Sequence, residues 1–443
     1  MNVYDSNRMA DVLRPLGYAQ VEEPEDADMI ILNTCHIREK ATDKVFSEIG
    51  RMRAHKEQKE KKGGRMLLAI AGCVAQAEGD FILERAPDVD MIFGPQTYHE
   101  LPEMVLKASG MLGRPRIVNT DFPGDSKFDY LPGEFSEQAA SAYLSIQEGC
   151  DKFCTFCVVP YTRGAEYSRS FKEIIDEAHK LVDAGAQEII LLGQNVNAYH
   201  GKNEDGSTAG LADLIYALDK IDGVKRIRYS TSHPRDMDDT LIQSHAIEKN
   251  MPFLHLPVQS GSDNILKTMN RKHKRDIYFE TIEKLRIVRK DIAFSSDFIV
   301  GFPGESDDDF EQTMDLVRRV GFASAYSFKY SPRPGTPAAN MPKQLHESVK
   351  SERLQRLQDL LNEQQYAFNQ TCDGLILPVL FDRKNNKKDQ LLGRSPYFQS
   401  VHIDAPAEYL NKIVNVKITH AAPNSLTGII ADDTLKQANP SAA

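Results

Sequence analysis

Between residues 141 and 330 the chain alternates short apolar runs, rich in β-branched and aromatic residues, with longer stretches of helical period. The β runs fall at 142–147, 188–192, 226–230, 253–256, 293–300 and 324–330; the periodic stretches between them cover 171–184, 211–220, 238–249, 275–289 and 307–320. Ser170 with Glu173 makes a capping box ahead of the first helix and Gly185 stops it. Six β runs joined through helices demand right-handed crossovers and a parallel sheet, here a partial (β/α)6 barrel. Function in such sheets gathers at the carboxyl ends of the strands. Those ends carry the polar and glycine-rich segments 149–157, Gly193-Gln194-Asn195, 231–234, 257–262 and 301–305.

Residues 1–130 form a second α/β unit, with β runs at 28–32, 66–71 and 89–93 in a parallel sheet. Cys35 and Cys73 each fall just past a run, so both are expected on one edge of that sheet. The chain opens on a helical pattern at 5–16 with no strand ahead of it, a βα unit lacking its β half. A linker at 119–138 with two Pro-Gly pairs precedes the barrel domain, 131–368. After a turn-rich segment and a charged helix at 347–369, short β runs at 375–381, 398–402, 412–419 and 425–431 predict a small β-barrel, 369–435, of a kind that often binds RNA.

Composition narrows the class. With 41% apolar and 27% charged residues the chain is an ordinary globular one. No apolar window reaches the roughly 18 residues of a membrane span, and charges in the opening segment argue against a secretory leader, so a cytoplasmic protein is expected. A net charge of −10 argues against bulk adhesion to nucleic acid and leaves room for a local basic patch. One candidate lies between the first two runs of the last barrel: Arg383, Lys384, Lys387, Lys388 and Arg394 against Asp382 and Asp389. A solvated loop is the alternative. Another lies at 51–65, with seven Lys or Arg against two Glu.

The six cysteines are too few for a disulfide framework. Cys150, Cys154 and Cys157 cluster as C-x3-C-x2-C after the first barrel strand. Three thiolates on one loop can grip three corners of a [4Fe–4S] cubane and leave one iron open to a small molecule. Zinc is the alternative, but it wants a fourth ligand, and no further Cys or His lies within about ten residues. Cys372 has no partner in sequence and is expected to pack. His233 and His255, at strand ends, are expected either to hold loops or to act.

The C-x3-C-x2-C loop on a six-unit barrel resembles the radical S-adenosylmethionine (SAM) superfamily. By that resemblance Phe156 meets the adenine of SAM, Gly193, Gln194 and Asn195 meet its methionyl end, residues 298–305 supply backbone contacts, and Gln259 and Ser260 are further cofactor contacts. A cysteine-bearing α/β domain, this barrel and a terminal β-barrel of the TRAM type together resemble the methylthiotransferases. The segments GCDKFCTFCVVPYTRG (149–164), STSHP (230–234), HLPVQSGSD (255–263), SSDFIVGFPGE (295–305) and PRPGTPA (332–338) are most similar to those of the bacterial branch acting on N6-dimethylallyladenosine in tRNA. Sister branches act on threonylcarbamoyl-adenosine or on a ribosomal protein.

The resemblance implies two [4Fe–4S] clusters, SAM, a tRNA substrate, an electron donor such as a flavodoxin or ferredoxin, and a monomer. One cluster sits on Cys150, Cys154 and Cys157. An auxiliary, sulfur-supplying cluster uses Cys35, Cys73 and a third cysteine that the family carries on an N-terminal strand; Met1-Asn2 coincide with the end of that motif, so the strand and its cysteine are expected to lie upstream of this start. The activity it implies is replacement of hydrogen at C2 of N6-dimethylallyladenosine by a methylthio group. A noncatalytic RNA-binding protein is the reading from another class.

Overall fold

The computed structural model describes residues 1–35, 41–110, 115–124, 126–133, 140–385 and 390–431. Among them no helix is long and apolar enough to cross a membrane.

Near the N-terminus a helix, Asn2–Leu13, precedes a parallel sheet of strands Met29–Thr34, Leu67–Gly72, Met91–Phe93 and Ile117–Asn119, paired in chain order. Alternation decides its two faces: Leu67, Ala69 and Ala71 pack with Met9, Val12, Leu13, Leu101 and Val105, whereas Leu68 and Ile70 pack with Val45, Ile49, Val74 and Ile82. Both faces are covered, which is why the central strand reads as an unbroken apolar run. The fourth strand was not expected; its three residues, between an Arg-Pro-Arg segment and a polar linker, are too few to show a period.

The six expected barrel strands are present as two three-stranded parallel sheets: Ser141–Ser145, Glu188–Leu192, Arg226–Ser230, then Phe253–His255, Ala293–Val300, Ser324–Lys329. They meet at a parallel bridge between Ile227 and Asn250. Leu144, Ile189, Ile227, Leu254, Phe294 and Phe298 form the core under the outer helices. Ser170 caps helix Phe171–Asp183 through the Glu173 N–H, as expected. The helix expected at 238–249 stops at Ser244, because the Arg289 guanidinium takes the carbonyls of His245, Ile247 and Asn250 and holds that segment in turns. A short helix, Asp263–Thr268, capped by Ser262, was not expected.

The inner faces of the two half-barrels differ. On the first, Ile190 and Leu192 are covered by Tyr4 together with Tyr143, Phe128 and Phe398. On the second, the row that faces the same lumen carries His255, Asp297, Tyr326 and Phe328; Tyr326 is 60% exposed and Phe328 40%.

Helix Glu347–Gln370 leads to a closed five-stranded barrel, ordered Ile376–Lys384, Gln390–Arg394, Ser400–Asp404, Ser425–Ile430, Ile413–Ala421. Four strands were expected; Gln390–Arg394, short and ending in Gly-Arg, is the fifth. The basic segment is therefore not one loop: Arg383 and Lys384 end one strand and Arg394 ends the next, while Lys387 and Lys388 lie outside the described residues. Cys372 is buried in this domain's core. The domain docks where the first three barrel strands begin: Arg226 donates to the carbonyls of Arg394 and Pro378, and Arg228 to those of Ser395 (2.8 Å) and Pro396 (2.8 Å). It thus sits at the opposite end of those strands from the Cys150 loop.

Candidate active site

The cysteine loop leaves the first barrel strand through a tight turn. Gly149 has φ +71° and runs so close to Ala165 that a Cβ would lie 1.9 Å from its carbonyl oxygen, so only glycine fits. Gln147 holds this turn against the second strand: its Nε2 donates to the Gly149 carbonyl (2.9 Å) and its Oε1 accepts the N–H groups of Gln194 (2.9 Å) and Asn195 (3.1 Å). Gln194 returns the bond by accepting the Gly149 N–H at 2.6 Å. Farther along, Asn195 donates to Asp236, which pairs with Lys152 inside the loop. Thr155 is bonded through its N–H to the Met269 carbonyl and through its hydroxyl to that of Thr268. Segments from four strand ends thus fix the loop in place.

The three thiols suit a cluster. Burial pushes the Cys150 thiol up to about 11 and the Cys157 thiol up to about 12, and neighbouring thiolates push in the same direction. Ionised together they need a positive centre, which iron would supply when bound. Part of the compensation is built in: the buried Arg271 places Nη1 3.6 Å from Cys154 Sγ and anchors Nη2 on the Pro257 carbonyl. Among the described residues no three Cys, His, Asp or Glu side chains are grouped so as to hold a single metal ion of any kind.

Phe156 packs with Ile265, Met269, Phe302 and Tyr330, its ring 6.5 Å from that of Phe302. Gln259, at φ +75°, is laddered to the fifth strand through the Asp297 carbonyl and the Ile299 N–H. Ser260 is fully buried, with its hydroxyl 3.3 Å from that of Thr313 and accepting the Ser262 N–H, bonds that hold the loop. His233 also holds a loop: Nδ1 accepts the Arg235 N–H, and the backbone exchanges two bonds with the Asn197 side chain. Burial first, and then the cations Arg271, Lys152 and Arg235 around it, keep its ring neutral.

Cys35 and Cys73 come together as the sheet register dictates. Thr34 lies opposite Gly72 in the parallel ladder, so the two cysteines are the next residues beyond paired strand ends. Gly72, at φ +88°, lets them approach, since a Cβ there would lie 2.5 Å from the Thr34 carbonyl oxygen. Both line a cavity of about 1060 Å³ that also reaches Gly193, Gln194 and Thr231 at the barrel strand ends. One wall is Arg163, at the end of helix Val159–Arg163 just past the cysteine loop. Its guanidinium pairs with Asp5 (2.6 Å) and Glu148 (3.1 Å), and Glu148 also binds Lys127 (2.7 Å); all four side chains are buried. Burial opposes ionising Asp5, but Arg163 and Lys127 outweigh it and hold its carboxyl below the ordinary value. This node joins the N-terminal domain to the barrel; its members lie up to 158 residues apart, beyond any spacing pattern.

The basic candidates are mostly engaged. In 51–65, Arg51, Arg53, Lys56 and Lys59 pair with Glu48, Glu57, Asp90 and Asp28. Arg394 hydrogen-bonds Ser400 and lies over the Phe398 ring, whereas Arg383, paired with Asp382, is about half exposed.

The radical SAM superfamily model matches residues 144–317, that of the uncharacterized protein family UPF0004 residues 1–94, and that of the TRAM domain residues 370–431. A radical SAM methyltransferase from Kitasatospora setae, TsrM, solved with cobalamin and a [4Fe–4S] cluster, shares the fold at TM-score 0.52 and 12% identity, over 76% of this chain and 74% of its own. Proteins from Rickettsia felis and Rickettsia bellii named tRNA-2-methylthio-N(6)-dimethylallyladenosine synthase are 57% and 56% identical over 97% of this chain, and 96% and 97% of theirs. With the three cysteines of the barrel loop, the paired N-terminal cysteines and the terminal β-barrel in the same chain, this protein belongs to the tRNA-2-methylthio-N6-dimethylallyladenosine synthase family of radical SAM enzymes.

Proposed function

We propose that the protein methylthiolates C2 of N6-dimethylallyladenosine in tRNA, using two [4Fe–4S] clusters and two molecules of SAM. The observation that carries this reading is the shared cavity: Cys35 and Cys73 open onto the same space as Gly193 and Gln194 beside the Cys150 loop. Cys150, Cys154 and Cys157 would hold the cluster that binds SAM, with Phe156, Gly193, Gln194, Asn195, Gln259 and Ser260 around it; Cys35 and Cys73 would hold the auxiliary cluster. When bound, the clusters and SAM supply the one-electron chemistry, the sulfur and the methyl group, none of which a side chain can provide. An electron donor such as a flavodoxin or ferredoxin and a monomeric state complete the reading.

The chain's own residues orient and exclude. Gln147 and Gln194 lock the loop to the second strand so that the SAM site and the N-terminal cysteines keep one spacing. Arg163, Asp5, Glu148 and Lys127 seal the domain junction with no net charge, keeping water from the cavity wall. Anticodon-loop bases can be splayed out of their stack, which would let one base enter the cavity. Removing charge at Arg383, Lys384, Lys387 and Lys388 tests the contribution of the terminal barrel to tRNA binding.

Nucleoside mass spectrometry of tRNA from cells with and without the gene tests the reading: the 2-methylthio derivative disappears and N6-dimethylallyladenosine accumulates. Unchanged nucleosides would overturn it. In reconstituted protein, Cys73→Ala is expected to stop methylthiolation while SAM cleavage to 5′-deoxyadenosine continues; loss of both at unchanged iron content would assign Cys73 to folding instead.

A further inference from the structure

The inner face of the second half-barrel carries side chains that neither group of cysteines uses. Its lumen row, set by the parallel register, places His255 beside Ser295, and Asp297 beside Tyr326. His255 Nδ1 lies 3.1 Å from the Ser295 hydroxyl and Nε2 3.6 Å from Asp297, so the imidazole is held by its own neighbours. Tyr326 meets the His255 ring edge to face at 6.3 Å, yet is 60% exposed. Phe328, two residues on, is 40% exposed and opposite Ile299. Ile299 packs into the cluster that contains Phe156 of the cysteine loop, so the row is continuous with the SAM side of the site. The base of the lumen is floored by Phe398, which stacks on Phe253 at 5.9 Å.

Aromatic surface left exposed on the inner face of the sheet, next to a held imidazole and a carboxylate, is what a planar, hydrogen-bonding, weakly polar ligand needs. Stacking supplies affinity and the polar pair meets the ring edge. We propose that this row is the seat of the substrate's purine base, with Tyr326 as the stacking platform and the His255–Asp297 pair facing the base edge. The proposal rests on the reading that the substrate is a tRNA adenosine. Among the described residues the first half-barrel offers no equivalent seat, since Ile190 and Leu192 are already covered.

The test uses the reconstituted full chain and an anticodon stem-loop RNA carrying N6-dimethylallyladenosine, measuring Kd, KM and kcat, with RNA-independent SAM cleavage as the control. Tyr326→Ala is expected to raise KM and Kd about ten-fold, equivalent to about 1.4 kcal/mol of stacking. Tyr326→Phe retains wild-type values, and SAM cleavage and the melting midpoint stay unchanged in both. His255→Ala is expected to raise KM with the same control intact. If the wild type converts the RNA while Tyr326→Ala and His255→Ala stay within about two-fold of it in Kd and KM, the seat is elsewhere and the proposal falls. If the wild-type protein neither binds nor converts this RNA but cleaves SAM, the reading of the substrate falls, and this proposal with it.

Discussion

The two halves of the barrel share a strand plan and differ in what lies on their inner face. The first half is filled: Tyr143, Ile190 and Leu192 lie under Tyr4, Phe128 and Phe398, and its base carries Glu188 between Arg226 and Arg228, closed off by carbonyls of the terminal domain. The second half leaves Tyr326 and Phe328 bare. The outer faces are alike, with apolar residues under helices in both. A parallel barrel thus obtains its stability from the outer layer and from one inner half, and the other half is left to bind.

The largest effect is expected where the filled half meets the N-terminal domain. Arg163→Met leaves Asp5 and Glu148 short of their partner in a buried place and should cost about 3–5 kcal/mol in urea unfolding. A loss under about 1 kcal/mol would show that water reaches the node. Next comes a paired comparison across the lumen. Ile190→Ala empties a covered position and should cost about 2–5 kcal/mol, whereas Phe328→Ala, on the more exposed row, should cost only about 1–2 kcal/mol. Equal losses would erase the distinction between the halves.

A smaller effect is set by pH. Asp5 and Glu188 are both buried, which opposes ionisation, but their arginine partners outweigh this and lower both carboxyls below their ordinary values. Their contribution is therefore complete above the unfolded-state values of about 4 and is lost as pH falls below them. The urea midpoint should drop below about pH 4, and Asp5→Asn should flatten that drop; an unaltered slope would show that Asp5 does not drive it. The smallest effect concerns the terminal barrel. Removing the charges of Arg383 and Lys384 should lower the slope of log affinity for tRNA against log salt by about 0.7–0.9 for each phosphate no longer neutralised. An unchanged slope would return these residues to solvent.

Much of the site was legible because it is local. Cys150, Cys154 and Cys157 share one loop, and their spacing, the barrel around them and the lack of a nearby fourth ligand pointed to a cluster. Cys35 and Cys73 were legible one step removed, since each follows a β run and parallel pairing brings such ends together. Helix ends were legible where a cap announced them, as at Ser170, and illegible where a distant side chain intervened, as with Arg289 at the carbonyls of 245–250. Arg271 went unseen because it follows Cys154 by 117 residues and no pattern links a buried arginine to a thiol. Gln147 looked like the end of a strand rather than the clamp of the cysteine turn. Gln390–Arg394 passed for loop because its polar flanks and glycine hide a five-residue alternation.

What the amino-acid order determined by itself was the set of local choices: the period of each segment, the glycines at positive φ, the thiols on one loop and the three-domain plan. Backbone sterics and burial of one face fix these within a few residues of each other. Only the tertiary structure decided which face of each half-barrel is covered, which charges are paired at the Asp5–Arg163–Glu148–Lys127 node, and that Tyr326 stands bare beside His255. Those outcomes depend on side chains brought together from distant parts of the chain, or across adjacent strands whose register closure of the barrel sets. Periodicity marks a strand position as apolar or polar; what it will meet is decided by packing alone.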